Sequence, residues 1–297
     1  MTYLNDEFFS RLETLALNLK PDLAGYFGGK HLVSTYGQTV EFADFREYQL
    51  GDDIRRIDWN LYSRFEKFFL KLFTDERQMK IQIFVDCSAS MGKDNPAKGA
   101  YTVAAAAALG FLGVHNMDKV SFNFMRATGL ENNYGTIIGK NSFFRAVSDF
   151  NNIRFAGETD IERCITNCNT LGNADGLSVI ISDFFTESNW KKAVDYLRYH
   201  RQQVLLLQIL TPEENDPLYD GRVNLIDSEA EAAEDPKNMK LKITRAMRNA
   251  YEEALNEFKN DIKTFCAKRG ADYITVCTDN AIERVLFGEL LKTGIVS

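Results

Sequence analysis

Short apolar runs alternate with helix-like periodicity over most of the chain after about residue 79. Runs of strand length occur at KIQIFVD, KVSFNFM, LSVIIS, QVLLLQIL and DYITVCT. Segments between them show the spacing of helices, including NPAKGAYTVAAAAALGFLG and the long ITRAMRNAYEEALNEFKNDIKTFCAKRG. Strands that are apolar throughout and alternate with helices predict an α/β fold, in which helices cover both faces of a mostly parallel sheet.

Local signals refine this outline. Asn95 is a suitable N-cap for the alanine-rich helix, with Pro96 at its first position. Further helices are predicted at NSFFRAVSDF, TDIERCITNCNTL, NWKKAVDYLRYHR and, near the end of the chain, NAIERVLFGELL. The stretch TPEENDPLYDGRVNLIDSEAEAAEDPK is predicted to be a polar insertion.

The first part of the chain has a different texture. One amphipathic helix is predicted from apolar residues at helical spacing, namely Leu4, Phe8, Leu12, Leu15 and Leu19. A loop follows to about Thr39. Two regions are therefore predicted, an N-terminal extension over residues 1–78 and an α/β domain over residues 79–297.

The second half of the extension is dense in charges of both signs and in aromatic residues. Such composition is buried only when the charges pair, so we expect a surface-packed segment held by ion pairs. Its expected aromatic anchors are Phe45, Tyr48, Trp59 and Tyr62. QLGDDIRR is predicted to be a turn around Gly51. A solvated charged face is the alternative for the whole segment.

Composition narrows the class of protein. The net charge of −7 argues against nucleic acid as a partner. No basic segment precedes an apolar core at the start of the chain, and no apolar run approaches the ~20 residues of a membrane span. Five scattered cysteines do not form a disulfide framework. These features predict a reduced, cytoplasmic protein without membrane insertion.

Oxygen-bearing side chains collect where two predicted strands end. Asp86, Ser88 and Ser90 follow KIQIFV, Asp183 follows LSVIIS, and Thr159 lies in a loop between them. Because ligands of doubly wound sheets bind outside the carboxyl ends of the strands, we expect these five residues to converge. Two carboxylates and three hydroxyls suit a hard divalent cation, most readily Mg²⁺. So few charges leave the ion able to accept a carboxylate from a protein partner.

Purely structural roles are the alternative for single members of this set. Ser90 is then a turn residue, Thr159 the N-cap of the following helix, and Asp183 the cap of the helix after it.

Two long motifs carry a family resemblance. VDCSASMG, together with Thr159 and ISDFF, resembles the metal-ion-dependent adhesion site (MIDAS) of von Willebrand factor type A domains. EFADFREYQLGDDIRRIDWNLYSRFEKFFLKLFTDER resembles the signature of the bacterial family called domain of unknown function 58, and the similarity extends through LIDSE to YEEAL and FCAKRGADYITVCTD. Glu158 departs from the pattern, because a glycine commonly precedes the threonine.

The resemblance implies a von Willebrand factor type A sheet and a metal site. Asp86, Ser88 and Ser90 are then its first motif, Thr159 the second and Asp183 the third, around Mg²⁺ or, alternatively, Mn²⁺ or Ca²⁺. Family members are often associated with MoxR-type AAA+ ATPases and are thought to act in chaperone-like assembly or maturation. The expected function is an intracellular, non-enzymatic, metal-dependent protein-interaction module whose partner presents an acidic residue.

Three rival functions remain open. A metal-dependent hydrolase or phosphatase would use Asp86, but Ser88 replaces the second acid that an aspartyl-phosphate enzyme needs, and no glycine-rich phosphate loop is present. Cys164 and Cys168 share a predicted helix face without a second pair for a tetrahedral metal site, so packing is expected for them and for Cys87. A secreted adhesion module is opposed by the unpaired cysteine count. The three histidines, His31, His115 and His200, lie outside the predicted cluster and supply no base for a serine hydrolase, and His115 and His200 need no function.

Overall fold

The computed structural model of the chain describes residues 4–18, 40–49, 52–75, 78–169, 171, 175–216, 221–225, 239–284 and 288. Its helices are α1 (Asp6–Asn18), α2 (Trp59–Phe65), α3 (Pro96–His115), α4 (Lys140–Val147), α5 (Ile161–Thr166), α6 (Trp190–Tyr199), α7 (Pro212–Asn215) and α8 (Arg245–Arg269). Its strands are β1 (Val40–Glu47), β2 (Phe69–Asp75), β3 (Lys80–Asp86), β4 (Lys119–Arg126), β5 (Gly129–Glu131), β6 (Gly176–Ser182), β7 (Gln202–Leu210), β8 (Gly221–Leu225), β9 (Met239–Ile243) and β10 (Asp272–Cys277).

A six-stranded sheet in the order β10-β7-β6-β3-β4-β5 forms the centre of the molecule. Every neighbouring pair is parallel except β4 with β5. The α/β fold with a mostly parallel sheet is confirmed, and each of the five predicted strands is present. The short antiparallel β5 was not predicted, because three residues carry too little pattern to separate a strand from a turn.

Helices pack on both faces of this sheet. Along β3, Ile81, Ile83 and Val85 point to one core, which also contains side chains of α1, α3 and α4. Phe84 points to the other, shared with α5, α6 and α8. This alternation explains why the strand sequence is apolar at consecutive positions: both of its faces are buried.

Helix α3 begins as predicted, since the Asn95 side chain accepts from the backbone N–H of Lys98 and Pro96 occupies the first position. Within the described part of the chain it is the one helix long and apolar enough to cross a bilayer. Its apolar window is 89% buried inside the protein, which is the environment of a core helix.

The extension contains an antiparallel pair of strands. β1 pairs with β2 from Val40 opposite Asp75 to Glu47 opposite Phe69. The predicted turn is confirmed where the Asp52 N–H donates to the Gln49 carbonyl, whereas Gly51 lies outside the described residues. The expected ion pairing is seen in a bidentate contact at 2.9 Å between the Arg46 guanidinium and the Asp52 carboxylate, and in a 3.1 Å contact between Lys67 and Glu47.

The predicted aromatic anchoring of the extension is wrong in part. Trp59 is 62% exposed, and Phe45 and Tyr62 are exposed as well. Tyr62 instead stacks on Phe68, with ring centroids 4.5 Å apart, and Trp59 meets both rings edge-on. The rings of Trp59, Tyr62 and Phe68 therefore pack against one another and not into a buried core.

Two further differences concern the second half of the chain. The predicted polar insertion contains α7 and β8 in the described residues, and β8 pairs antiparallel with β9, which begins just after the insertion. Helix α5 ends at Thr166, earlier than its apolar pattern suggested. The predicted last helix, Leu19 and His31 lie wholly or partly outside the described residues.

Candidate functional site

Two polar loops follow neighbouring strands at the carboxyl edge of the sheet. β3 and β6 are parallel partners in the register Val85 with Ile181. Asp86 and Ser182 therefore come next, side by side, and Asp183 starts the loop after β6. This register places Asp86 and Asp183 at the same edge of the sheet.

The loop that carries Thr159 is joined by backbone hydrogen bonds to the loop that follows β3. The Ala89 N–H donates to the Gly157 carbonyl at 2.8 Å, and the Ala156 N–H donates to the Cys87 carbonyl at 2.9 Å. Thr159 also pairs with Ala127 in an isolated bridge beyond β4. These contacts place the Thr159 loop directly beside the loop that carries Ser88 and Ser90.

Asp86 is buried and held by uncharged donors. The Ser88 N–H donates to its Oδ1 at 2.9 Å, and the Ser182 hydroxyl donates to its Oδ2 at 2.6 Å. The Thr159 hydroxyl is also within hydrogen-bonding reach of it. Burial, and next the nearby charge of Asp183, raise the pKa of Asp86, while these hydrogen bonds oppose the rise.

The two serines form the open side of the cluster. Ser88 is buried and Ser90 partly exposed, with their hydroxyl oxygens 3.1 Å apart. Ser88 begins the short 3-10 helix Ala89–Met91, but its side chain makes no capping bond there. Glu158 and Phe185, which adjoin the other two loops, are exposed. Solvent therefore reaches the serine end of the cluster.

The alternative capping roles of Thr159 and Asp183 are wrong. The N-cap of α5 is Asp160, whose carboxylate accepts from the Arg163 N–H. The N-cap of α6 is Asn189. Thr159 is buried and its hydroxyl lies 3.5 Å from the Met125 carbonyl, so its position is not explained by helix capping.

Asp183 is buried under contacts from three elements. Its Oδ1 accepts from the Phe185 N–H at 3.0 Å, and its carbonyl accepts from the Gln208 amide at 2.9 Å. Between them Phe184 adopts a left-handed backbone conformation with φ of 61°, which is costly for a residue other than glycine. The Phe184 ring packs edge-on against Trp190, which holds the turn in place.

Lys98 is the functional candidate that sequence reasoning missed. Its ammonium lies 2.8 Å from Oδ2 of Asp183 and 2.8 Å from Oε1 of Glu214, and its side chain is 0% exposed. Burial disfavours the ammonium, but Asp183 and then Glu214 outweigh burial, so the pKa of Lys98 is raised. The available signal was a single lysine among the apolar residues of α3, since a buried lysine needs a counter-charge.

The charges of the cluster are not balanced within the described residues. The one ammonium, that of Lys98, pairs with both Asp183 and Glu214, and no lysine or arginine pairs with Asp86 in the described chain. Burying a carboxylate without a cation is costly. A divalent cation beside Asp86 would relieve that cost, and the neighbouring hydroxyls are the oxygen ligands that hard cations prefer. The residues fit such an ion.

The described residues offer little support for a cysteine or histidine metal site. They contain no group of three or more histidine, cysteine, aspartate or glutamate side chains placed to hold a metal. Cys87, Cys164 and Cys168 are buried as expected, and burial raises the pKa of Cys87 and Cys164 to about 12. Cys87 and Cys164 are therefore protonated thiols rather than thiolate ligands. His115 ends α3 and His200 caps α6, away from the cluster.

Comparison with known proteins places most of the chain in one family. A family model described as "Protein of unknown function DUF58" matches residues 44–261. Among curated relatives, the uncharacterized protein Rv1480 of Mycobacterium tuberculosis and the uncharacterized protein Mb1516 of Mycobacterium bovis are each 27% identical over 273 residues. Each alignment covers 90% of this chain and 84% of the relative. The family match includes every residue of the candidate site.

Solved structures with partial likeness include von Willebrand factor type A proteins. The conserved hypothetical protein BatB from Bacteroides thetaiotaomicron aligns with a TM-score of 0.41 and 15% identity, over 73% of this chain and 98% of its own. A von Willebrand factor type A protein from Catenulispora acidiphila aligns at 0.40 and 10%, over 75% and 43%. Proximal thread matrix protein 1 from the mussel byssus, solved with a zinc-occupied MIDAS motif, aligns at 0.40 and 8%, over 73% and 46%.

Proposed function

We propose that this chain, which belongs to the family described as Protein of unknown function DUF58, is a protein-interaction module that binds through a divalent metal ion. The ion is held at the carboxyl edge of the sheet and captures an acidic side chain of a partner protein. The adhesion-site resemblance of VDCSASMG led to the same expectation from the sequence.

One observation carries the proposal. Asp86 is 2% exposed, its two oxygens accept from uncharged donors, and no cation of the described chain neutralises it. Three hydroxyls on two adjoining loops accompany it at a point that solvent reaches. A buried acid that is oriented but not neutralised, beside hydroxyls of which that of Ser90 is partly exposed, supports a site that acquires its cation from solution.

The proposed ligands have separate tasks. Ser88 and Ser90 offer hydroxyl oxygens directly, and Asp86, Asp183 and Thr159 act directly or through water. Mg²⁺ is the proposed ion because all of these donors are oxygens, with Mn²⁺ and Ca²⁺ as alternatives. When bound, the ion supplies a Lewis-acidic position with too few protein charges to satisfy it. An external carboxylate is the ligand that completes such a shell most favourably.

The partner and the location are parts of the same proposal. A MoxR-type AAA+ ATPase presenting an acidic residue is the proposed partner, on the basis of the family resemblance, and chaperone-like assembly or maturation is the proposed context. The free cysteines of the described chain agree with a reducing, cytoplasmic location.

Catalysis by Asp86 as a hydrolase or phosphatase nucleophile is disfavoured by its surroundings. Both carboxylate oxygens already accept hydrogen bonds, from the Ser88 N–H and the Ser182 hydroxyl, and almost none of the side chain is exposed. An attacking oxygen must give up such a bond and reach the substrate. If the wild type hydrolysed a phosphate ester and Asp86→Asn did not, the result would support the enzymatic alternative.

The direct test is metal-dependent capture of a purified MoxR-type ATPase by the immobilised chain. We expect capture in Mg²⁺, loss of capture in chelator, and loss of capture in the double variant Ser88→Ala/Ser90→Ala in either condition. The variant should fold normally, since neither hydroxyl caps a helix.

A matched double variant controls for the removal of two hydroxyls. Ser63 and Ser148 each donate to a backbone carbonyl at an exposed position outside the loops of the cluster. Ser63→Ala/Ser148→Ala should capture the partner as the wild type does. Capture that survives both chelator and Ser88→Ala/Ser90→Ala would rule out the metal-dependent module.

A further inference from the structure

The ion pair between Lys98 and Asp183 lies inside the candidate metal site and serves no obvious packing need. The ammonium is fully buried, comes from the first turn of α3, and reaches a carboxylate at the end of β6. Replacing a buried ion pair by apolar residues often leaves stability unchanged or improves it. A function at the site is therefore the better account of why a charge is placed there.

Lys98 is held in place from both ends. The carbonyl of Lys98 accepts from the Thr102 hydroxyl, and its N–H donates to the Asn95 cap. At the far end the ammonium also meets Oε1 of Glu214, whose Oε2 accepts from the Thr211 N–H at 2.8 Å in a capping box. Both carboxylate oxygens of Glu214 are thus committed, so the ammonium has a fixed position.

We infer that Lys98 is a positioning residue that acts as an internal cation of the site, holding Asp183 in an ion pair and so keeping the affinity for the divalent ion low. This inference rests on the proposed function, because it concerns the same ion. Because Asp183 is paired with Lys98, Asp86 is the carboxylate left to neutralise the divalent ion. The fixed ammonium of Lys98 also repels that ion. An ion bound in this way is exchangeable and keeps its attraction for an outside carboxylate.

Charge removal at the two ends of the bridge should change metal affinity in opposite directions. Lys98→Met removes the repelling ammonium and frees Asp183, so the ion binds more tightly. Glu214→Gln removes one of the two carboxylates that pair with the Lys98 ammonium. More of the positive charge of Lys98 then acts on Asp183 and on the divalent ion, so the ion binds more weakly. Glu214 is 29% exposed, so this second variant is expected to fold even if Lys98→Met does not.

The experiment is calorimetric titration of Mn²⁺, the metal alone, into metal-free wild type and variants at low ionic strength. We expect Lys98→Met to tighten binding by at least about tenfold, which corresponds to about 1.4 kcal/mol. Glu214→Gln should weaken it by roughly threefold to tenfold, and Lys98→Met/Glu214→Gln should lie between the single variants. Lys191→Met, which breaks an exposed pair with Asp261, is the control and should leave binding unchanged.

The outcomes separate this inference from the proposed function. Opposite shifts in the two single variants support it, since a merely structural role would weaken binding in both. Binding in the wild type with weaker or equal binding in Lys98→Met overturns the inference and leaves the metal site standing. If Lys98→Met does not fold, unchanged or tighter binding in Glu214→Gln overturns it. No binding in any variant overturns the proposed function and the inference together.

Discussion

Ser182 donates a 2.6 Å hydrogen bond to Oδ2 of Asp86 across two adjacent parallel strands. The same hydroxyl oxygen accepts from the Phe184 N–H at 2.9 Å, so one serine orients the proposed metal ligand and the strained turn after Asp183. A donor without charge fixes the direction of the carboxylate and leaves its charge available. Ser182 thus has the position of an outer partner that aims a metal ligand.

Ser182→Ala is expected to weaken metal binding while leaving all five proposed ligands in the chain. Loss of such an orienting partner typically lowers metal affinity by about 10- to 100-fold. It also leaves the Phe184 N–H without its acceptor, which should cost about 1–3 kcal/mol of unfolding free energy. Mn²⁺ titration and urea denaturation measure the two effects separately.

Ser178→Ala is the control for this prediction. Ser178 lies on the same strand, is fully buried and contacts Gln202 at 3.3 Å, nearer the strand's beginning. It should lower stability without changing Mn²⁺ affinity. Equal affinity in wild type and Ser182→Ala would show that Ser182 does not position Asp86 for an ion.

Mg²⁺ should stabilise the wild-type protein against unfolding but should not stabilise Asp86→Asn. A ligand that binds only the folded state adds about 2.7 kcal/mol at a free concentration of roughly 100 times its dissociation constant. Removing the charge of Asp86 removes most of that binding. Without metal, Asp86→Asn should be at least as stable as wild type, because an unneutralised buried acid is gone. Thermal unfolding with Mg²⁺ or chelator reads out both effects.

Asp118→Asn is the matched control, since Asp118 is also buried but precedes β4 at the opposite edge of the sheet. Its Mg²⁺ response should equal that of the wild type. A Mg²⁺-induced rise in melting temperature that persists in Asp86→Asn would place the ion elsewhere.

The parts of this structure that sequence predicted are those encoded over short distances. Continuous apolar strands, the Asn95 cap and the carboxyl-edge position of Asp86 and Asp183 all follow from local pattern and from the rules of parallel sheets. The roles of Thr159 and Asp183 as helix caps could not be excluded from sequence, because Thr159 and Asp183 precede helices just as the actual caps, Asp160 and Asn189, do.

Contacts between residues far apart in the chain could not be predicted from the sequence. Lys98 meets Asp183 and Glu214, residues far along the chain, and no local period connects them. Glu214 belongs to a four-residue helix inside a stretch that reads as polar insertion. The exposed stack of Tyr62 on Phe68 was missed for a related reason, because aromatic residues predict contact but do not identify the contacting partner.

Gly110→Ala is expected to destabilise the fold although alanine is the better helix former. A Cβ at Gly110 would lie 2.4 Å from Cζ of Phe122 and 3.2 Å from Cε2 of Phe143, both fully buried rings. Helix propensity favours alanine by about 1 kcal/mol, whereas overpacking a core costs about 1–3 kcal/mol. We expect a net loss of unfolding free energy in urea denaturation. Gly129→Ala, whose Cβ would meet only the Arg126 carbonyl at 3.8 Å, should change little.

Asp118 should make stability fall as the pH rises through a defined window. Burial raises the pKa of its carboxyl from 3.8 to about 6, against the opposing hydrogen bond from the Met79 N–H. Its Oδ2 has no hydrogen-bond partner in the described chain. The folded state therefore holds this proton more tightly than the unfolded state does. The contribution of Asp118 is most favourable below pH 3.8 and is lost as the pH rises to about 6.

Asp118→Asn isolates this effect, because the amide oxygen can still accept from Met79 while the charge is absent. Measured by urea denaturation across and above that window, the variant should gain on the wild type as the pH rises, by up to about 2–3 kcal/mol. Asp94→Asn, at an exposed position, controls for the general loss of one negative charge. A difference between Asp118→Asn and wild type that stays constant with pH would mean that the pKa of Asp118 is the same in the folded and unfolded states.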